Sequence, residues 1–342
     1  MRLPLQRILT WLAIAWCAAL LALAAVAFAA PQRSGLLALG EILAPLLFVP
    51  LLLALPLAVL PFSGRGRRAR GLLRVGLIVC AVVAVTWFGP DWVSLPASAD
   101  PAALQVGVTD WNLELGEPDP AVVLDVLRAT PPGIVALEEL QPRHSGPIGS
   151  DPQIRARFPY QKLYPTDGSQ GIGFLSSYPI VAMGRHPSDP PVIWARLDAG
   201  NGRTLDVVVA HPRPGDVQTL GPLPIPVGFD ASQRDAEIAY VRSQVDPLLA
   251  TGLPLVLVGD FNTTDREPAY ADLSSGLVDA HVAVGLGPGS TWRPDPLKWL
   301  PFGLLRIDMV FTGNGARPIG ISPDCAPRGS DHCLVRATVD VP

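Results

Sequence analysis

The stretch Leu255-Val-Leu-Val-Gly-Asp-Phe-Asn262 decides how this chain is read. Its aliphatic run, followed by a glycine, predicts a short strand. Two polar side chains, Asp260 and Asn262, stand where that strand ends, the place where a rigid scaffold gathers functional groups. Similar turn-bounded runs occur at 104–109, 133–137, 171–176, 192–197, 204–210, 306–311 and 333–339. Helical stretches lie between them: one capped by Asp119-Pro120 through about Thr130, one begun by Asp151-Pro152, and the longest over 231–249. Many strands with few helices predict layered sheets covered by helices.

Several other strands also end on polar residues. Asn112 closes Thr109-Asp-Trp-Asn, Glu138 and Glu139 follow Ile134-Val-Ala-Leu, Asp308 lies in Arg306-Ile-Asp-Met-Val-Phe, and Asp331 and His332 stand in Gly329-Ser-Asp-His. Singly, each reads as a turn former, a cap or a solvated strand end. As an ordered set, Asn…Glu…Gly-Asp-Phe-Asn…Ile-Asp…Ser-Asp-His resembles the endonuclease/exonuclease/phosphatase superfamily, which includes DNase I-like nucleases, inositol polyphosphate phosphatases and neutral sphingomyelinases. Gly171-Ile-Gly-Phe-Leu-Ser-Ser-Tyr-Pro-Ile180 is similar to the family's strand-turn-strand. The resemblance runs from about Leu104 to Val341. It implies an α+β fold, a four-layer α/β/β/α sandwich of two mostly antiparallel sheets with helices outside.

The resemblance also implies the chemistry. Phosphoester hydrolysis needs a shielded phosphorus, an attacking water and a stabilised leaving oxygen, and a hard Mg²⁺ or Mn²⁺ held by carboxylates and carboxamides meets the first and third needs. Glu139, Asn112 and Asp331 are the implied metal ligands, with Glu114 as a further candidate. Glu138 departs from the family, which usually has Gln there. Asp260 is expected to orient or deprotonate the water, because a carboxylate accepts and does not donate. Asn262 would donate toward the phosphoryl oxygens. His332 would donate to phosphate or shuttle a proton, with Asp308 as the partner that fixes its tautomer. His211, in Val207-Val-Val-Ala-His-Pro-Arg, is similar to the second family histidine, though Val209 and Pro212 replace the usual Asn and Leu. For Arg213 the choice is between a phosphate contact and a solvated cation.

Composition places this domain. The chain has 342 residues and a positive mean hydropathy, too apolar for a uniformly soluble protein. The excess lies in 8–30, 42–62 and 71–88, each near the roughly 20 residues a spanning helix requires. The expected organisation is a transmembrane helical anchor of three helices over 1–93, a linker over 94–103, and a catalytic domain over 104–342. The first run also reads as a cleaved signal peptide, because Arg2 and Arg7 precede an apolar stretch ending in Ala-Phe-Ala. Four arginines between 63 and 70 keep that loop in the cytoplasm and put everything after Trp92 outside, in a multi-pass cell-membrane protein.

Charge narrows the partners. Residues 95–342 hold 18 Lys+Arg and 28 Asp+Glu, a net of −10, against −4 for the whole chain. A protein that grips a phosphate backbone presents basic surface, so nucleic acid is a disfavoured partner. Cys17 and Cys80 fall in the apolar runs and read as inert filler. Cys325 and Cys333 fall in the outer part, where a disulfide is permitted but the spacing alone does not establish it.

An outward-facing phosphoesterase at a bilayer meets lipid phosphates, and Trp292-Arg-Pro-Asp-Pro-Leu-Lys-Trp-Leu-Pro-Phe302 holds several large apolar residues beside the Asp308 strand. Such a loop is either an interfacial patch or part of the core. The expected substrate is a lipid-linked phosphate or pyrophosphate, on a polyprenyl carrier or a phospholipid headgroup. The anchored architecture is similar to glycopeptide-resistance-associated bacterial envelope proteins of the same superfamily, for which an envelope phosphatase role is implied. The competing readings are a tethered nuclease or phosphodiesterase acting on DNA and a catalytically silent scaffold.

Overall fold

The computed structural model describes residues 2–59, 67–95, 97–187, 189–221 and 223–342. They form two compact units. The first comprises Met1–Pro90, Asp216–Asp230 and Arg266–Pro268, and the second comprises Asp91–Gly215, Ala231–Asp265 and Ala269–Pro342.

In the first unit, helix α1 (Arg2–Ala29) and helix α5 (Arg67–Trp92) are long and apolar enough to cross a membrane. Ile8, Trp11 and Leu12 of α1 and Val75, Ile78 and Val82 of α5 are exposed, as expected of helices that meet lipid on their outer faces. The run at 42–62 is not one straight helix. It is divided among α2 (Gly35–Ile42), α3 (Ala44–Phe48) and α4 (Leu51–Val59), with a 73° bend between α2 and the rest. The helix breaks fall at prolines: Pro45 stands in the first turn of α3 and Pro50 just before α4, where a missing N–H ends one helix and starts another. If the bent pair is one span, the spanning helices number up to three. In the arginine loop, 63–66 lies outside the described residues, and Arg67, Arg68 and Arg70 belong to the first turns of α5.

The second unit carries two six-stranded mixed sheets. One has the order β13 (Arg317–Asp324), β14 (Leu334–Val341), β1 (Leu104–Asn112), β2 (Ile134–Glu138), β4 (Ile172–Ser176), β3 (Tyr160–Tyr164). The other has the order β11 (Val278–Asp279), β12 (Asp308–Gly313), β10 (Leu255–Asp260), β7 (Arg203–Ala210), β6 (Val192–Gly200), β5 (Ile180–His186). Their inner faces meet in one apolar layer: Val106, Val108, Ala136 and Phe174 from the first sheet pack with Val207, Val209, Val258 and Val310 from the second. Helices α6 (Pro120–Ala129), α7 (Pro142–Ser150) and α8 (Pro152–Arg157) cover the outer face of the first sheet, burying Val123, Leu127, Ile148 and Ile154 against Trp111 and Leu137. Helices α9 (Ser232–Leu249) and α10 (Pro268–Ser274) cover the second, with Ile238, Val241 and Leu273 against Val208 and Leu257. This is the four-layer sandwich of the DNase I-like fold.

All eight expected strands are present, and the three expected helices begin where their residues direct. The Asp119 carboxylate accepts from Ala121 N, and that of Asp151 from Gln153 N and Ile154 N, satisfying N–H groups that have no partner in the first turn. The strands that composition did not announce are peripheral. β3, β5, β11 and β13 are edge or near-edge strands, and Pro318 and Pro323 are tolerated in β13 because it lies at an edge. The hairpin of β8 (Asp216–Leu220) and β9 (Leu223–Asp230) forms a sheet of its own in the first unit.

Two parallel pairs within otherwise antiparallel sheets fix where polar strand ends collect. β1 and β2 are parallel with Asn112 beside Glu138, and β7 and β10 are parallel with Val209 beside Val258. Antiparallel β14 and β12 begin at the same rim, and Asp260 pairs directly with Asp308. Gly259 makes the last step of β10 possible: at φ 145° its position for a Cβ lies 2.1 Å from the Ala210 carbonyl oxygen. A side chain there would force β10 away from β7 just where Asp260 and His211 emerge. Gly259→Ala is therefore expected to destabilise the protein by about 1–3 kcal/mol and to lower its thermal unfolding temperature in detergent. An unchanged unfolding curve would contradict this account of the strand junction.

Candidate active site

The rim is organised around one carboxylate. Asp260, at the end of β10 and 1 % exposed, accepts from Asn112 Nδ2 at 2.9 Å and from Asn262 Nδ2 at 3.3 Å, both at Oδ2. The same oxygen lies 3.5 Å from His211 Nε2 and 3.6 Å from His332 Nε2. Its second oxygen accepts from Asn262 N at 2.9 Å. Asn112, Asp260, Asn262, His211 and His332, placed far apart by the sequence, thus share one site.

His332, two residues before β14, has Nδ1 at 2.9 and 3.0 Å from the two oxygens of Asp308, the first residue of β12. Burial opposes charge on this imidazole, but the Asp308 and Asp260 carboxylates outweigh it and hold its pKa up at about 10. The His211 imidazole is likewise raised to about 9: burial opposes protonation, whereas a hydrogen bond to Asp260 and the charges of Asp260, Glu139 and Glu138 favour it. His211 Nδ1 faces the Ser169 carbonyl at 3.1 Å, so this nitrogen donates and Nε2 turns to Asp260 and Glu139. Burial also pushes Asp260 upward, yet the two imidazoles prevail and hold it below the ordinary carboxylate value.

Glu139, just past β2, accepts from Asn112 Nδ2 at 3.3 Å and from Leu115 N at 2.7 Å, and its Oε1 is 3.7 Å from His211 Nε2. Asp331 accepts at Oδ2 from the Trp292 indole at 2.7 Å, while its Oδ1 is buried with no hydrogen-bond partner among the described residues. Such an orphaned carboxylate acceptor fits a hard divalent cation. Asp260, Asp308 and His332 also bring one donor atom each within 4.8 Å of one another. A doubly protonated His332 has no lone pair to offer a metal, and the Asn112 carboxamide oxygen accepts from Glu114 N at 2.8 Å.

Non-glycine residues with positive φ concentrate here. Glu114 (43°), Leu115 (49°), Glu139 (52°) and Asn262 (49°) are four of six among the described residues. Such conformations cost about 1–3 kcal/mol each and persist where surrounding contacts over-determine them. Glu114 accepts from Asp331 N at 2.7 Å and pairs with Lys298 at 2.5 Å, so it braces the Asp331 loop. Arg213 is part-exposed and already engaged by protein acceptors. It is clamped by Glu237, Gln233 and Asp189 on one wall of a groove of about 330 Å³ that also touches Glu139, His211 and Gln170.

Several contributors escaped the sequence reading. Asp110 is fully buried and interacts with the equally buried Glu138, whose position the sequence showed but whose burial it did not. Burial, reinforced by neighbouring carboxylates, raises Asp110 well above its usual value, and burial, partly offset by His211, raises Glu138 to about 8. Strand alternation could have found Asp110, since it lies two residues before Asn112 and shares its face. Thr291 Oγ1 accepts from Asp308 N, Arg234 donates to the Asn262 carbonyl at 3.0 Å, and Ser330 Oγ donates to the Asn112 carbonyl at 2.8 Å. These are long-range pairings that spacing does not reveal.

The apolar loop after Thr291 is tied to this rim and exposed at its tip. Trp292 bridges both Leu305 and His332. Arg293, almost fully buried, donates to the Leu300 and Cys325 carbonyls. Cys325 and Cys333 are disulfide-bonded and close the loop that carries Asp331 and His332. Trp299 and Phe302 remain 68 % and 54 % exposed, so the loop is anchored at its base and presents a patch at its end.

The comparisons agree with this geometry. Residues 111–332 match the model of the endonuclease/exonuclease/phosphatase family. Among solved structures, a functionally unknown conserved protein from Enterococcus faecalis V583 is similar with a TM-score of 0.54 at 15 % identity, covering 69 % of this chain and 100 % of its own. D. rerio TDP2 in complex with a single-strand DNA product has a TM-score of 0.52 at 15 % identity, covering 69 % and 98 %. An endonuclease/exonuclease/phosphatase from Bacteroides vulgatus has 0.51 at 15 %, covering 70 % and 100 %. At such identities the likeness establishes the fold alone. No curated protein matches the chain. With the family model covering the site residues from Asn112 to His332, this chain belongs to the endonuclease/exonuclease/phosphatase family, a family of hydrolases that generally use divalent metals.

Proposed function

We propose that this protein is a metal-dependent phosphoesterase that hydrolyses a lipid-linked phosphate or pyrophosphate at the outer face of a cell membrane. The observation that carries the substrate class is the exposed Trp299–Phe302 tip, built on the same loop whose Trp292 indole holds Asp331. An apolar lip at a catalytic rim suits an amphiphile. The net charge of −10 over 95–342 argues against a polyanionic nucleic acid. The Cys325–Cys333 disulfide supports an oxidising, extracytoplasmic setting, as the arginine loop does.

In this reading Glu139, Asn112 and Asp331 hold the cation, Mg²⁺ or Mn²⁺, which when bound neutralises phosphoryl charge and stabilises the leaving oxygen. Asp260 is already ionised by its two imidazole neighbours, and so can align a water and accept its proton. Asn262 and the cationic His211 and His332 donate toward the phosphoryl oxygens, where charge gathers in the transition state. Asp308 fixes the His332 ring and keeps it charged. The apolar face at Trp299 and Phe302 receives the lipid portion.

The test uses the full-length protein in detergent or nanodiscs with Mg²⁺, offered polyprenyl pyrophosphate, phospholipids and plasmid DNA. Lipid phosphate release is expected, abolished by chelation, restored by Mg²⁺ and reduced on the order of 10²–10⁴-fold in Asp260→Asn. Efficient DNA cleavage without lipid turnover would instead establish a tethered nuclease. Full activity of Asp260→Asn on any substrate would remove the catalytic assignment.

Protonation gives a separate expectation. The His332 pKa is raised to about 10 in the folded protein from an ordinary 6.5, so its pairing stabilises the fold fully below the ordinary value and ceases to do so as pH rises through the folded one. His332→Gln, compared with the parent in a chelator, is expected to cost about 3–5 kcal/mol in mildly acidic solution. The difference between the two unfolding temperatures should shrink in strongly alkaline solution. A penalty that grows with pH would mean that the imidazole is neutral in the fold.

A further inference from the structure

The β8–β9 hairpin, Asp216-Val-Gln-Thr-Leu-Gly-Pro-Leu-Pro-Ile-Pro-Val-Gly-Phe-Asp230, plays no part in the sandwich. It groups with the N-terminal helices: β9 packs against α2, and Asp230 bridges to Ser34 just beyond the end of α1. Between the two terminal aspartates the hairpin has no charged residue. Val217, Leu220, Ile225 and Val227 are 45–55 % exposed, an apolar surface that a water-facing hairpin does not need.

Its level relative to the helices is fixed within the unit. Phe28, near the end of α1, lies 5.5 Å from Trp87, near the end of α5, and Phe48 packs edge-on against Phe88. The C-terminal ends of α1 and α5 therefore lie together in an aromatic cluster, the residue type that collects at a membrane–water boundary. Arg266 caps the same end, donating to the Trp87 carbonyl at 2.7 Å. Ser34 follows α1 directly, so the hairpin stands at this boundary beside exposed Leu36 and Leu37 of α2.

We propose that the hairpin is a lipid-contacting element, with Leu220, Ile225 and Val227 entering the headgroup–acyl boundary of the leaflet next to the α1 and α5 termini while Asp216 and Asp230 stay in water. Lipid is favoured over a protein strand as the occupant. Pro224 and Pro226 remove N–H donors at alternate positions of β9, so the strand offers side-chain surface and little backbone for another chain to pair with. The hairpin also continues a surface already apolar in α1, α2 and α5. Chain connectivity gives the anchor a consequence: the strands leave directly after His211-Pro-Arg-Pro-Gly215 and return into α9, whose Arg234 holds Asn262.

The inference rests on α1 and α5 being in a bilayer and is independent of the substrate. The experiment uses full-length protein in nanodiscs of phosphatidylethanolamine and phosphatidylglycerol, labelled with an environment-sensitive fluorophore at Leu220→Cys, Ile225→Cys, Val181→Cys on edge strand β5, or Leu12→Cys in α1. Cys17 and Cys80 are buried, and Cys325 and Cys333 are bonded, so the parent protein gives the background. Labels at Leu220 and Ile225 should emit to the blue of the Val181 label and be quenched several-fold more strongly by nitroxide-bearing lipids, as the Leu12 label is. If the Leu12 label is quenched and the hairpin labels behave like Val181, the hairpin proposal falls and the membrane reading stands. If none is quenched, both fall.

Discussion

Asp260 is a carboxylate with almost no access to water, and a buried charge of that kind persists only if donors surround it. Two carboxamides and two imidazoles do so, each from a different segment of the chain. Meeting that requirement explains much of the second unit. The parallel pairs β1/β2 and β7/β10 bring four strand ends to one rim, antiparallel β12 and β14 start there, and Gly259 allows the close approach that puts Asp260 beside His211. The same neighbours keep Asp260 ionised and both imidazoles protonated, the state a phosphoryl-transfer site needs for an acceptor of water protons and donors to phosphate.

The surrounding layer holds this arrangement against its own strain. Positive φ at Glu139 and Asn262 sets those side chains at the rim, and hydrogen bonds donated by Leu115 N to Glu139 and by Arg234 to the Asn262 carbonyl fasten the turns. The His332 loop is fastened from three directions: by the disulfide, by Ser330 to the Asn112 backbone, and by Glu114 to Asp331 N. Trp292 joins the segment that ends in the exposed Trp299–Phe302 tip to the Asp331 carboxylate. Buried Asp110 and Glu138, both pushed toward their neutral forms by burial, add carboxyl groups behind the rim without a full negative charge.

Sequence alone determined the existence and type of the long elements and pointed to the polar residues that surround Asp260. Buried strands such as 255–260 are aliphatic because both faces are covered, and the capping aspartates at 119 and 151 mark helices by local chemistry. The polar residues at those strand ends remain recognisable singly and in order. Tertiary structure decided what depends on neighbours distant in the chain. Pro45 and Pro50 break the second apolar run, yet its 73° bend is a property of the packed helices. The edge strands and the hairpin were illegible because their side chains answer to solvent or lipid, which imposes no period on the sequence. Arg213 became a clamped wall residue, Asp110 a buried acid, and Cys325–Cys333 a bond. Each outcome turns on which atoms meet across the sandwich, and spacing along a chain carries no information about that distance.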